Sequence, residues 1–165
     1  MKKTLIIAMC CLTVLFAACK KEKPYEKFVG TYEGNTSIHA TISFNSPIGT
    51  GMSQSFDFVS PMNITLSAGN ADNKLILTYK PEDEETIYTT TGTITDNKVV
   101  FDPVQLNEVI DEYTVNAQVN MNGSITDNAF TLQGDINGTG QIEILPFSLS
   151  GNFSGVLNKV LTKTN

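Results

Sequence analysis

The sequence predicts an all-β protein in which an antiparallel meander of about eight to ten strands closes into a barrel. Apolar and polar residues alternate with a period of two, almost without a break, from Phe28 onward. Asp-Asn pairs recur where one alternating run ends and the next begins, and nothing beyond the first twenty residues has sustained helical spacing. A meander of this size has to protect its edge strands, which closure does completely. Two packed sheets are the alternative architecture.

The first predicted strands have their apolar residues at even positions. Residues 28–44 form either one long strand or two strands joined by a bend at Gly34. Residues 45–54 are rich in Gly, Pro and Ser and predict a loop. Residues 56–66 return to the even face, with Pro61 at a bulge or an edge because proline cannot donate to a sheet ladder.

Shorter alternating runs predict the remaining strands. They occupy residues 74–80, 86–95, 98–106, 113–125, 130–136 and 141–159. Residues 104–113 have room for one short helical turn. The patterns Phe28-x-Gly30 and Phe153-x-Gly155 match at the two ends of the domain, which predicts that the first and last strands pair.

The Asp-Asn pairs lie at residues 96–97 and 127–128, with a weaker echo at 72–73. A calcium loop would need several oxygen ligands at alternate positions, whereas each repeat offers two polar side chains followed by Lys or Ala. A two-residue hairpin loop needs positive φ at its centre, which Asn and Asp tolerate best after Gly. The repeats therefore predict hairpin turns between adjacent antiparallel strands.

The first eighteen residues are typical of an export signal. A basic head precedes an apolar run over residues 5–16, which is shorter than the ~20 residues that cross a bilayer as a helix. Small residues then precede Cys19 in the sequence FAAC, which resembles the lipobox of bacterial lipoproteins, where the Cys becomes the lipidated first residue. No cysteine follows Cys19, so the exported chain builds no disulfide framework.

These observations predict four segments along the chain. They are a lipoprotein signal peptide over residues 1–18, the lipidated Cys19 and a charged tether over 19–27, a single barrel domain over 28–160 and a C-terminal tail over 161–165. A chain anchored by acyl groups in this way is expected on the outer membrane, facing either the periplasm or the cell surface.

The exported part of the chain is acidic. Once Lys2 and Lys3 are removed with the signal, nine lysines, no arginine and 17 acidic residues remain, a formal charge of −8. Nucleic-acid binding relies on Lys and Arg contacts to phosphates, so this composition argues against DNA or RNA as a partner. The same charge is repelled by anionic lipid, and membrane contact is therefore expected through the acyl anchor.

Short motifs at both ends of the chain carry a family resemblance. They are KFVGTYEG over residues 27–34, the lipobox at Cys19 and GNFSGVLNK over residues 151–159. Together with the polar hairpins, they resemble the calycin-like β-barrel lipoproteins of Bacteroides and its relatives, distant members of the lipocalin-like superfamily. That superfamily has a G-x-W pattern in its first strand, and Gly30-x-Tyr32 holds this place here. The resemblance implies a barrel with an internal apolar site and no defined catalytic residues.

Few residues offer catalytic or metal-binding chemistry. His39 is the only histidine, and its odd position predicts an outward side chain rather than a base or a haem ligand. Zinc sites need several Cys or His ligands, and a serine nucleophile elbow would read G-x-S-x-G, which does not occur. The acidic run Glu82-Asp83-Glu84-Glu85 is either a solvated hairpin tip or a weak calcium site. We therefore predict no enzyme activity, no cofactor and no dedicated metal site.

The interior of the barrel is the remaining candidate for function. Six aromatic residues are expected to line it: Phe56, Phe58, Tyr88, Tyr113, Phe130 and Phe147. Small barrels usually fill their interior with side chains, while a hollow one would hold a small apolar ligand. The sequence is compatible with a filled interior and with a hollow one. The expected function is a membrane-anchored, non-enzymatic lipoprotein that binds a small hydrophobic ligand or a partner protein. The alternative is a protein-interaction or hydrolase-inhibitor module with a filled core and functional loops.

Overall fold

A computed structural model describes residues 23–44, 51–81, 86–110, 113–144 and 147–164. Over these residues the chain forms nine strands and no helix. The strands are β1 (Gly30–Phe44), β2 (Met52–Ala68), β3 (Lys74–Tyr79), β4 (Tyr88–Thr95), β5 (Lys98–Phe101), β6 (Val104–Ile110), β7 (Tyr113–Thr126), β8 (Ala129–Ile144) and β9 (Phe147–Thr164). No helix that could span a bilayer is found in the described part of the chain.

Eight of the strands form a closed, hydrogen-bonded ring. Their order is β5-β4-β3-β2-β1-β9-β8-β7, every described pair is antiparallel, and the ring closes between β5 and β7. The first and last strands pair from Thr31 opposite Thr164 to Phe44 opposite Gly151. The predicted all-β meander, its closure and the pairing of its two ends are thus confirmed.

The Asp-Asn pairs form turns, as predicted. Those beginning at Asp96 and Asp127 are the two-residue loops of the β4–β5 and β7–β8 hairpins. The two aspartates have φ angles of +55° and +51°, in the left-handed region that such tight loops require. The third pair, at Asp72, lies in a longer loop that is closed by the Gly69 amide donating to the Lys74 carbonyl at 2.9 Å.

A one-residue bulge separates β5 from β6, although both lie along the same edge of β7. Val100 pairs with Asn122 and Val104 with Val119, so three residues of the bulged strand lie opposite two of β7. The bulge includes Pro103, which has no amide hydrogen for the ladder. Because of the extra residue, the side chains that face the interior have odd residue numbers in β5 and even residue numbers in β6.

The bulge corrects two predictions for this part of the chain. The single strand expected over residues 98–106 is two strands with a break between them. The helical turn considered for residues 104–113 is wrong over residues 104–110, which form β6 along β7. Residues 111–112 lie outside the described part of the chain.

The interior contains two apolar clusters. The first, the closed-end core, lies where all eight strands of the ring pair. Its members are Phe28, Tyr32, Ile64, Leu66, Leu75, Leu77, Ile94, Val99, Phe101, Ile125, Phe130, Leu132, Leu157 and Leu161. The second, the open-end cluster, lies toward the other end. Its buried members are Ala40, Ile42, Phe44, Val115, Ala117, Ile136, Ile142 and Phe153.

Phe130 is one of three fully buried aromatic residues of the closed-end core, with Phe28 and Tyr32. It is fully buried, and its ring centroid lies 6.4 Å from that of Phe28 and 5.4 Å from that of Tyr32. The Tyr32 hydroxyl donates to the Phe28 carbonyl at 2.7 Å, so its polar end is satisfied. Gly123 lies under the ring, where an added Cβ would be only 2.2 Å from a ring carbon. The glycine therefore provides the space that the ring occupies.

At both ends of the described chain, residues that were predicted to lie outside the barrel domain contact the barrel or form part of it. Residues 23–29 turn across its closed end, where Lys23 pairs with Asp72 at 3.0 Å and Tyr25 packs against the closed-end core. The predicted charged tether therefore contacts the barrel through Lys23, Tyr25 and Lys27, the last by a hydrogen bond to Asn97. At the other end, β9 continues to Thr164 with Leu161 fully buried, so residues 161–164 belong to the barrel and not to a tail.

Candidate ligand cavity

A cavity of about 620 Å³ lies between the two clusters and opens through the side of the barrel. The opening exists because β3, β4 and β5 have only 4 to 8 residues, whereas β1, β2, β7, β8 and β9 have 14 to 18. β2 pairs with β3 only from Ile64 to Ala68, and β4 pairs with β5 only from Gly92 to Thr95. Beyond these points, β2 and β6 have no strand partner on that side among the described residues. The gap between them is the opening.

Local chemistry at the bulge explains why β6 leaves β4. The Asp102 amide donates to the Thr91 carbonyl at 2.7 Å, and the Thr90 hydroxyl donates to the Asp102 carbonyl at 2.8 Å. Pro103 comes next and cannot donate a further hydrogen bond to β4. From there β6 pairs with β7, its one partner among the described strands. The Asp-Pro dipeptide thus sets one edge of the opening.

The wall of the cavity differs between its deep side and its mouth. The deep side comes from β1, β7, β8 and β9 and is entirely apolar: Ile38, Ala40, Val119, Met121, Leu132, Ile136, Phe153 and Leu157. Among the described lining residues, the hydroxyl groups come from β2, β3 and β4, the strands on the side of the opening: Ser60, Tyr79, Tyr88, Thr89 and Thr90. Among the described residues that line the cavity, none carries a formal charge. The arrangement suits an apolar molecule.

The predicted aromatic residues are distributed over three places. Phe58 and Tyr88 line the cavity. Phe56 and Tyr113 pack against the open-end cluster, with ring centroids 5.3 Å apart, and lie outside the cavity wall. Phe130, which was expected to line an internal site, is instead part of the closed-end core. The interior is therefore filled at one end and hollow in the middle.

Three predictions concern residues that the structure does not describe. The side chain of Phe147 lies outside the described part of the chain. So do the acidic run Glu82-Asp83-Glu84-Glu85 and the signal segment that ends at Cys19.

His39 is on the outer face of β1, as predicted, and points away from the cavity. Its Nδ1 lies 2.7 Å from a carboxylate oxygen of Asp57 on β2, directly across the strand pair. Both side chains are exposed, so solvent screens their interaction. No group of three or more potential metal ligands occurs among the described residues.

Lys159 is an inward-facing residue that the sequence analysis did not single out. It lies between Leu157 and Leu161 on β9 and is only 3% exposed. Burial lowers the pKa of its ammonium group, and no described residue forms a hydrogen bond or an ion pair with it. The alternation through Phe153 and Leu157, extended by two residues, would have identified it. It does not line the cavity itself.

We expect Lys159→Met to stabilise the protein at neutral pH by about 1 kcal/mol, because an apolar side chain of similar length replaces a desolvated charge. The pKa of Lys159 is lower in the folded state than its ordinary value of 10.5. Between the two values the unfolded state binds more protons, so the free energy of unfolding of the wild type should rise with pH. The gain from the substitution should shrink as pH increases toward 10.

Urea unfolding between pH 7 and pH 9.5 measures this effect. The upper limit avoids Tyr32, because burial raises its pKa to about 12 and stability should fall above its unfolded value of 10.0. Lys98→Met is the matched control, because Lys98 is exposed on β5. A pH dependence that is the same in wild type and Lys159→Met would contradict the prediction.

No protein-family model matches the chain, and no curated protein matches it. Among solved structures, the chain is similar to the ywiB protein from Bacillus subtilis, with 11% identity and a TM-score of 0.24. The match covers 81% of this chain and 94% of that one. A likeness of this size carries no argument about fold or function.

Proposed function

We propose that this chain is a lipid-anchored, non-enzymatic barrel protein of the outer membrane that binds one small hydrophobic molecule in its side-opening cavity. The observation that carries the proposal is the cavity itself. Its volume of about 620 Å³ falls within the ~300–1,000 Å³ of pockets that hold one small molecule. Its deep wall is apolar, so burying a hydrocarbon there is favourable by about 25 cal/mol per Å².

The chemistry of the wall supports binding rather than catalysis. The described lining residues include no carboxylate, imidazole, thiol or amine, the groups that most often transfer protons or attack substrates. The single histidine is on the opposite side of the sheet, paired with Asp57. The lining hydroxyls at the mouth suit hydrogen bonding to a ligand.

The membrane anchor rests on the sequence around Cys19, and the docking of residues 23–29 supports a defined orientation. If Cys19 carries the acyl chains, only residues 20–22 separate it from the turn over residues 23–29, in which Tyr25 packs against the closed-end core and Phe28 belongs to it. Three extended residues span about 10 Å. The closed end would then lie next to the bilayer. The proposed kinship with calycin-like lipoproteins rests on the sequence motifs alone.

Native mass spectrometry tests the binding proposal. The protein is the mature chain, residues 19–165, with Cys19→Ser so that it carries no acyl group, purified from a bacterial host without detergent. We expect a discrete added mass that organic extraction removes and that returns after incubation with a lipid extract. A bare protein mass that stays unchanged in the presence of the extract would refute ligand binding.

Partner binding is the second candidate, and one observation favours it. The edge of β2 from Met52 to Asn63 has no strand partner on the β3 side among the described residues. Val59 and Met52 on this stretch are 74% and 60% exposed. An extended segment of another protein could add to such an edge through main-chain hydrogen bonds, as in an inhibitor or accessory module. A bare mass in the experiment above would favour this function.

A further inference from the structure

We propose that the ligand is an uncharged, elongated amphiphile whose hydrocarbon lies in the deep cavity and whose polar group, a hydrogen-bond donor such as an alcohol, lies at the side opening. This inference rests on the proposed binding function and adds the chemical class and the orientation of the ligand. It follows from the distribution of polar groups around the cavity, from their existing hydrogen bonds and from the absence of charge among the described lining residues.

The orientation follows from the two sides of the wall. The deep side has only aliphatic, thioether and phenyl groups, among them Ile38, Val119 and Leu157. A polar group placed there would lose its hydrogen bonds to water without replacing them, at a cost of about 1–3 kcal/mol or more. The mouth has hydroxyl groups and reaches solvent. A molecule with one polar end is therefore most stable with that end at the mouth.

Two of the five described lining hydroxyl groups, those of Thr90 and Ser60, donate to backbone carbonyls, and these two favour a ligand that can donate. The Thr90 hydroxyl, 8% exposed, donates its proton to the Asp102 carbonyl at 2.8 Å. The Ser60 hydroxyl donates to the Pro61 carbonyl at 3.2 Å. Each oxygen keeps lone pairs that can accept. A ligand O–H can donate to them, whereas an ionised carboxylate has no proton to offer.

Electrostatics also disfavours an acidic ligand. No cationic side chain lines the cavity among the described residues, so a carboxylate inside would lack a counter-charge. The formal charge of the exported part, −8, repels an anion as it approaches. The inward cation next to this region is Lys159, two residues from Leu157 but outside the wall. An experiment therefore has to test whether Lys159 can recruit a carboxylate.

A matched pair of ligands tests the proposal. Dodecan-1-ol and dodecanoate have the same chain length and differ in the charge and the donor capacity of the head group. Each is titrated at pH 7.5 against the mature chain, residues 19–165 with Cys19→Ser, loaded with the uncharged dye N-phenyl-1-naphthylamine, and displacement is followed by fluorescence. We expect the alcohol to bind at least about tenfold more tightly than dodecanoate.

Each other outcome has a separate meaning. Equal or tighter binding of dodecanoate would overturn the proposal. If that binding disappears in Lys159→Met, the ligand is an anion held by Lys159. If the dye binds and neither ligand displaces it, the proposed ligand class is wrong, while the proposal of a hydrophobic binding site stands. If the dye does not bind either, the cavity function itself fails, and this inference fails with it.

Discussion

Replacing Val119 by tryptophan should abolish ligand binding and leave the barrel folded. Val119 lies inward near the middle of β7 and lines the cavity. An indole at this position occupies the volume that the ligand needs, so we expect affinity to fall by about 100-fold or more. The ring enters a void and not a packed core, so the free energy of unfolding should change by less than the ~1–3 kcal/mol typical of overpacking.

Gln118→Trp is the matched control, since Gln118 is the preceding residue of β7 and points outward. The chain has no tryptophan of its own, so each variant carries a single indole whose emission reports its surroundings. We expect blue-shifted emission and lost dye binding for Val119→Trp, and red-shifted emission with normal binding for Gln118→Trp. Normal binding by a folded Val119→Trp protein with a buried indole would place the ligand elsewhere.

Phe130→Ala should cost about 3–5 kcal/mol of stability, the range for removing a large buried aromatic side chain. The ring is fully buried against Phe28 and Tyr32, and the space left over Gly123 cannot close without moving two strands. This loss is a large share of the ~5–15 kcal/mol that stabilises a typical domain. The unfolding midpoint in urea, with its slope, measures it.

Phe56→Ala is the comparison, because Phe56 is only partly buried at the open end, where it stacks on Phe58 and packs edge-to-face against Tyr113. We expect a loss of about 1–2 kcal/mol there, since part of the ring is already in contact with solvent. Equal losses for the two variants would mean that the closed-end core does not dominate the stability of the barrel.

The sequence predicted the direction of side chains well because a strand has a strict period of two. Phe130 was predicted inward and His39 outward by position alone, and the structure agrees. The turns at Asp96 and Asp127 were also predictable, since few residues other than glycine tolerate positive φ in a tight loop. Barrel closure followed from the need to pair the first and last strands.

The cavity could not be predicted in the same way, because a period gives the direction of a side chain and not the volume left around it. Phe58 and Phe130 follow the same rule, yet one lines a void and the other fills a core. The surroundings of the two rings differ because the strands do not all extend equally far along the barrel axis. That depends on the lengths of β3 and β4 and on the bulge at Pro103, whose register shift appears only when β6 is aligned with β7.

The unequal lengths of the strands have a consequence for how the protein opens. At the closed end, every strand of the ring has two neighbours, and separating any of them exposes a shared core. At the open end, among the described residues, β6 pairs only with β7, and β2 from Met52 to Asn63 pairs only with β1. Local unfolding can therefore begin at these free edges while the rest stays intact, as in other proteins whose parts differ in stability. We therefore expect the free edges of β2 and β6, which flank the cavity opening, to unfold before the closed end.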